Sequence, residues 1–142
     1  MQYKRLLALT KGLLVGDVAL PSDQEVLEGL LSYAFYMVST KAQSLHLMTL
    51  HRKKPILRLS EGDFLMRIPD LPQALTDDLD IDEELCYPLA RYLASFISKE
   101  KGAIHVMSAN ALINDYNGKV YEIMDAIKVS DERGQHVQLR PE

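Results

Sequence analysis

The chain has 142 residues, 47% of them hydrophobic, a formal net charge of −4 and one cysteine. That length and apolar content fit a single domain with a sizeable core and exclude a mostly disordered chain. The acidic balance excludes a protein that coats nucleic acid or anionic membranes through a surplus of Lys and Arg. There is no apolar run of about eighteen residues, and Tyr3-Lys4-Arg5 leads into an amphipathic pattern rather than a cleavable apolar segment. The chain therefore reads as soluble and without a standard export signal. Cys86 cannot form an internal disulfide and has no base near it in sequence, so it reads as a packing residue.

Gln2–Val15 predicts a short helix, with Leu6, Leu7, Leu13 and Leu14 apolar, Lys4, Arg5 and Lys11 solvated, and Gly12 and Gly16 limiting its length. After a link over Gly16–Pro21, Ser22-Asp23-Gln24-Glu25 has capping-box spacing: Ser22 accepts from the N–H of Glu25 and Glu25 reaches back. Val26, Leu27, Leu30, Leu31, Ala34, Phe35, Val38 and Ala42 then form a broad apolar face. This is expected to be the longest helix and the main packing partner of a later helix hairpin, with Gly29 a small local cost. After about Gln43 the apolar residues fall in short runs broken by Arg52-Lys53-Lys54-Pro55 and Glu61-Gly62-Asp63. Those runs predict an insertion of short strands at about 45–68, while helix continuation through Leu50 stays open. Pro69 and Pro72 begin an extended crossing.

Five carboxylates follow, Asp77, Asp78, Asp80, Asp82 and Glu83, ahead of the stripe Leu85, Leu89, Leu93, Phe96 and Ile97. Acids at a helix N-terminus face unpaired N–H groups and the positive dipole end, and Lys99 and Lys101 stand where the negative end falls. Pro88 means that the regular helix starts near it or that the first turn is bent. Gly102 is expected to stop this helix, and Ile104, Met107, Ala111 and Leu112 to form the inward side of an antiparallel neighbour. Asn117-Gly118 reads as a helix terminator or a tight turn, with helical spacing resuming over Val120–Ile127. Residues 1–127 are thus one helical-bundle domain, and Lys128–Glu142 is an extended arm with too few apolar residues to order alone. The expected core seam joins Leu89, Leu93 and Phe96 to Leu27, Leu31 and Ala34.

Chemistry-bearing patterns are scarce. His46 and His51, five apart, share neither a strand face nor a helix face, and the acidic run lacks the glycine and terminal glutamate of a calcium loop. No phosphate-cradling loop or nucleophile elbow occurs, so no catalytic, cofactor-binding or metal-ligating residue is expected and the chain does not read as an enzyme. Arg52, Lys53 and Lys54 are the one basic contact candidate; Tyr33, Phe35 and Tyr36 read as core or subunit contact.

The order of a short helix, a Gly/Pro link, the capped helix at Pro21-Ser22-Asp23-Gln24-Glu25, a strand-rich excursion and an acidic lead-in resembles the head-to-tail connector (adaptor or head-completion) proteins of tailed bacteriophages. The resemblance spans roughly Tyr3 to Tyr121. It is carried most by Asp80-Ile81-Asp82-Glu83-Glu84-Leu85 and Pro88-Leu89-Ala90-Arg91-Tyr92-Leu93-Ala94. It implies a mainly α protomer, a bundle of about four helices with a small β-hairpin between the second and third and an extended C-terminal tail. Such protomers form a ring, commonly of twelve copies, under the portal protein at the head-tail junction of the virion, assembled in the bacterial host cytoplasm. The ring extends the DNA channel and docks the next tail or stopper protein, with DNA only passing through and no membrane involved. On this reading Asp77, Asp78, Asp80, Asp82 and Glu83 face the channel, and Arg133, Val137, Leu139 and Arg140 belong to a partner-docking arm. The alternative is a small cytosolic helical protein that binds a single protein partner.

Overall fold

A helix with one solvated side needs apolar residues only at every third or fourth position. In α3, Glu83–Ile97, Leu85, Cys86, Pro88, Leu89, Ala90, Tyr92, Leu93 and Ala94 are all buried, which encloses the helix on nearly every side. The other helices, α1 (Tyr3–Leu13), α2 (Gln24–Lys41) and α4 (Gly102–Glu132), each pack against it. This computed structural model describes residues 1–16, 18–42, 57–60, 63–66, 68–98 and 101–132, with the backbone alone at 57–60, 63–66 and 123–132. Over them the protein is mainly helical, and no helix among them is long and apolar enough to cross a membrane.

α1 buries Tyr3, Leu6 and Thr10, spaced three and four apart. The Thr10 hydroxyl, deep in the core, donates to the Leu6 carbonyl at 2.9 Å. At its N-terminus α1 would leave amides without helical acceptors, and the acidic segment supplies acceptors for two of them. The Tyr3 N–H donates to the Asp77 carbonyl and the Lys4 N–H to the Leu75 carbonyl, both at 2.9 Å. In return the Leu79 N–H donates to the Met1 carbonyl at 2.8 Å, and Gln2 pairs antiparallel with Asp78. The helix runs through Gly12, and among the described residues only Gly16, at φ +76°, is a glycine in the left-handed region.

α2 is capped by Asp23 rather than Ser22: the Asp23 carboxylate accepts from the Glu25 N–H at 2.9 Å. A carboxylate accepts a stronger, charge-assisted bond than a hydroxyl and also meets the helix dipole, so the acid displaces the serine as cap. Leu27, Leu31, Ala34, Phe35 and Val38 are buried, whereas Val26 faces outward. With 18 residues α2 is not the longest helix; α4 has 31. The Asn117-Gly118 pair does not break α4, because Tyr116 and Val120 are buried on either side of it and their packing outweighs the roughly 1 kcal/mol that a helical glycine costs. α4 also continues past Ile127 to Glu132, so the first residues of the expected arm are helical.

α3 begins at Glu83, which places Pro88 inside it and deprives the Glu84 carbonyl of its helical donor. It ends at Ile97, the Ser98 N–H closing on the Ala94 carbonyl at 2.8 Å. Gly102 is therefore not its stop but the first residue of α4. A Cβ there would lie 3.2 Å from the Ser95 carbonyl oxygen, so glycine permits the close approach of the two helices. Contacts from the second half of α3 fall early in α4 and those at the N-terminal end of α3 fall later, which makes the pair antiparallel: Arg91 with His105 and Tyr92 with Asn110, then Asp82 with Tyr116 and Glu84 with Lys119.

The expected seam is present, with Leu27, Leu31, Ala34, Leu89 and Leu93 all in the core. Phe96 is only partly buried, set against Tyr33 at a ring-centroid distance of 5.2 Å. Within the expected insertion, β1 (Leu57–Ser60) and β2 (Asp63–Met66) pair antiparallel, Leu57 opposite Met66 and Ser60 opposite Asp63.

Candidate interaction surfaces and cavities

The five carboxylates do not act as one group. Asp77 Oδ2 accepts from the N–H groups of Gln73 and Ala74 at 3.0 and 2.9 Å and closes the turn that precedes it. Asp82 is buried and accepts a 2.6 Å hydrogen bond from the Tyr116 hydroxyl. Although Asp82 is the N-cap of α3, its side chain makes no capping bond, contrary to the expected capping role. Asp80 is half-buried, which leaves Asp78 and Glu83 exposed. Glu84 beside them pairs with Lys119 at 3.1 Å, and a pair so exposed adds little stability. Among the described residues no three His, Cys, Asp or Glu side chains converge as metal ligands would. The Cys86 thiol is buried, 3.7 Å from the Asp82 carbonyl.

α4 carries two stripes, and the structure buries the one interrupted by polar residue types. His105, Ala109, Ile113, Tyr116 and Val120 face inward. Ile104, Met107, Ala111 and Leu112, expected inside, face outward, with Ile104 60% and Met107 72% exposed. The buried stripe holds a histidine and a tyrosine, which look polar in sequence. Each finds a partner, His105 in Arg91 and Tyr116 in Asp82, and burial of a polar group is tolerated when it is hydrogen-bonded. A second exposed apolar group lies on α2, where Tyr33 and Tyr36 stack with ring centroids 6.4 Å apart. Phe35 between them points into the core.

Sequence spacing gave no hint of a polar cluster joining three helices. Lys41 Nζ donates to Tyr92 Oη at 3.2 Å and to Asn110 Oδ1 at 3.1 Å, while the Tyr92 hydroxyl donates to Asn110 Oδ1 at 2.6 Å. Asn117 Nδ2 donates to the Lys41 carbonyl at 2.9 Å, satisfying a carbonyl at the end of α2. Lys41 in the last turn of α2 is the one legible signal, since cations suit that end of the dipole. An open, polar hollow of about 370 Å³ adjoins the cluster, lined by Lys41, Asn110, Ile113 and Asn114.

The more apolar hollow, about 240 Å³, lies between α1, α3 and α4 and is lined by Leu9, Leu13, Tyr87, Ala90, Arg91 and Leu112. Arg91 Nη1 lies 3.1 Å from His105 Nδ1. Because a guanidinium only donates, Nδ1 must accept, and the neutral ring carries its proton on Nε2, a buried atom without a hydrogen-bond partner. Burial lowers the His105 pKa below its ordinary value, the positive charges of Arg91 and Lys101 lower it further, and the Leu13 carbonyl opposes them weakly. Burial likewise raises the Tyr3 phenol, with Glu28 adding to the shift.

Arg52, Lys53, Lys54, Arg133, Val137, Leu139 and Arg140 lie outside the described residues. Comparison of the chain with family models, with curated proteins and with solved structures finds no match.

Proposed function

We propose that the protein is a structural assembly protein, the head-to-tail connector that its helix order and acidic lead-in resemble, forming a ring through contacts between unlike faces. The observation that supports this reading is the exposure of large apolar and aromatic side chains on two different helices of one protomer, Tyr33 with Tyr36 on α2 and Ile104 with Met107 on α4. A closed ring needs heterologous contacts, in which one patch of each copy meets a different patch of the next. In this proposal the ring, of about twelve copies on the resemblance, sits under the portal. Asp78 and Glu83 are the exposed acids offered to the channel, where like charge lets duplex DNA slide. The strand insertion and the residues beyond α4 contact the portal and the next tail protein.

The test uses Met107→Glu and Tyr36→Glu, both at exposed positions where the isolated fold tolerates change. Light scattering and negative-stain imaging of concentrated wild-type protein, alone and with portal, should show a ring, and each variant alone should stay monomeric. Mixed, the two variants should form a dimer and stop, since each retains one intact face. A wild-type protein that stays monomeric with and without portal would end the proposal; variants that still form closed rings would remove these faces from it.

A further inference from the structure

The geometry points to a binding site for a small amphipathic carboxylate in the hollow between α1, α3 and α4, its apolar body among Leu9, Leu13, Ala90 and Leu112 and its carboxylate on Arg91. The walls are mostly apolar, and Arg91, the one cation among the described lining residues, is half-buried. Arg91 gives Nη1 to His105, which leaves the Nε–Nη2 edge of the guanidinium, the edge that holds a carboxylate by two parallel hydrogen bonds. Among the described residues no carboxylate pairs with it. The charges that act on the adjoining His105 are those of Arg91 and Lys101, both positive, which favours the carboxylate at the Arg91 end, away from Glu84 and Asp115 of the neighbouring hollow that shares Tyr87 and Leu112.

Size narrows the ligand class. An apolar cavity of about 150 Å³ accommodates benzene, so about 240 Å³ has room for one aromatic ring or a short branched alkyl chain together with its carboxylate. Pockets that hold drug-sized ligands are roughly 300–1,000 Å³, larger than this hollow. Tyr87 and Leu112 are partly exposed, which gives the hollow an open lip and a path for entry.

The site is tested on the full chain, labelled at its leucine methyl groups, by nuclear magnetic resonance titration with phenylacetate and separately with phenylacetamide, which keeps the ring and lacks the charge. Phenylacetate should produce saturable shifts at Leu9, Leu13 and Leu112; phenylacetamide should bind at least about tenfold more weakly, and Arg91→Met should weaken phenylacetate by a similar factor. Should Arg91→Met fail to fold, Leu112→Trp at the exposed lip fills the hollow and should abolish the shifts at Leu9 and Leu13. Absence of saturable shifts at millimolar probe, equal binding of the two probes, or undiminished binding by Leu112→Trp would each overturn the assignment.

Discussion

Two isoleucines on one helix, Ile104 and Ile113, provide a direct measurement of which face of α4 is inside. Ile113 is 1% exposed in the core, so Ile113→Ala removes buried methyl groups and leaves a cavity, a loss of about 2–5 kcal/mol. Ile104 is 60% exposed, so only two-fifths of its surface is covered. If full burial is worth about 1.5–3 kcal/mol, that share is worth about 0.6–1.2 kcal/mol. Alanine returns a few tenths of this through its better helix propensity, which leaves a loss below about 1 kcal/mol. Urea unfolding followed by far-ultraviolet circular dichroism, at concentrations where the protein is monomeric, gives both values on one scale. Periodicity alone places Ile104 inside and predicts the reverse order. If Ile104→Ala costs as much as Ile113→Ala in the monomer, the assignment of the buried stripe is wrong.

The cap of α2 can be tested by Asp23→Ala, which should cost about 1 kcal/mol, while Ser22→Ala should stay within about 0.5 kcal/mol; the opposite ranking in thermal melts would restore serine as the cap. Tyr116→Phe removes the 2.6 Å hydrogen bond to the buried Asp82 carboxylate and should cost about 1.5–3 kcal/mol, so an unchanged unfolding midpoint would show that this bond contributes nothing net. His105 has a folded pKa below its unfolded value of about 6.5. Its contribution is therefore complete above pH 6.5 and declines as pH falls from there through the folded pKa, because the unfolded chain takes up the proton first. His105→Gln, whose amide oxygen can still accept from Arg91, should flatten that part of the stability profile; identical wild-type and variant slopes would refute the linkage.

Helices were legible wherever an apolar period and a boundary residue coincided. The start of α2 within one residue, the stripe of Leu85, Leu89 and Leu93, and the antiparallel helix that follows all rest on such agreement. The inward face of α4 was not legible, because periodicity weighs His105 and Tyr116 as polar and cannot see Arg91 and Asp82 waiting to pair with them. Gly102 and Asn117-Gly118 misled for a related reason: a glycine stops a helix only where the packing of the residues around it does not hold the helix, and the close approach to Ser95 or the anchoring by Tyr116 and Val120 depends on the rest of the chain. The Lys41–Tyr92–Asn110 cluster and the Arg91 hollow draw on residues tens of positions apart, and no spacing rule reaches that far.

The stitching of residues 1–4 to the stretch around 75–79 also sets the order of events on the ribosome. A helix of eleven residues is marginal by itself in water, and two of the first amides of α1 wait for the carbonyls of Leu75 and Asp77. At about 5–20 residues per second, the nascent chain spends roughly 4–15 s with α1 emerged but unanchored. During that interval its apolar side, Tyr3, Leu6 and the leucines around them, is offered to chaperones or to another nascent copy rather than to its own core. α3, the surface that will cover it, emerges still later, so α1 finds its place only after α3 has been made.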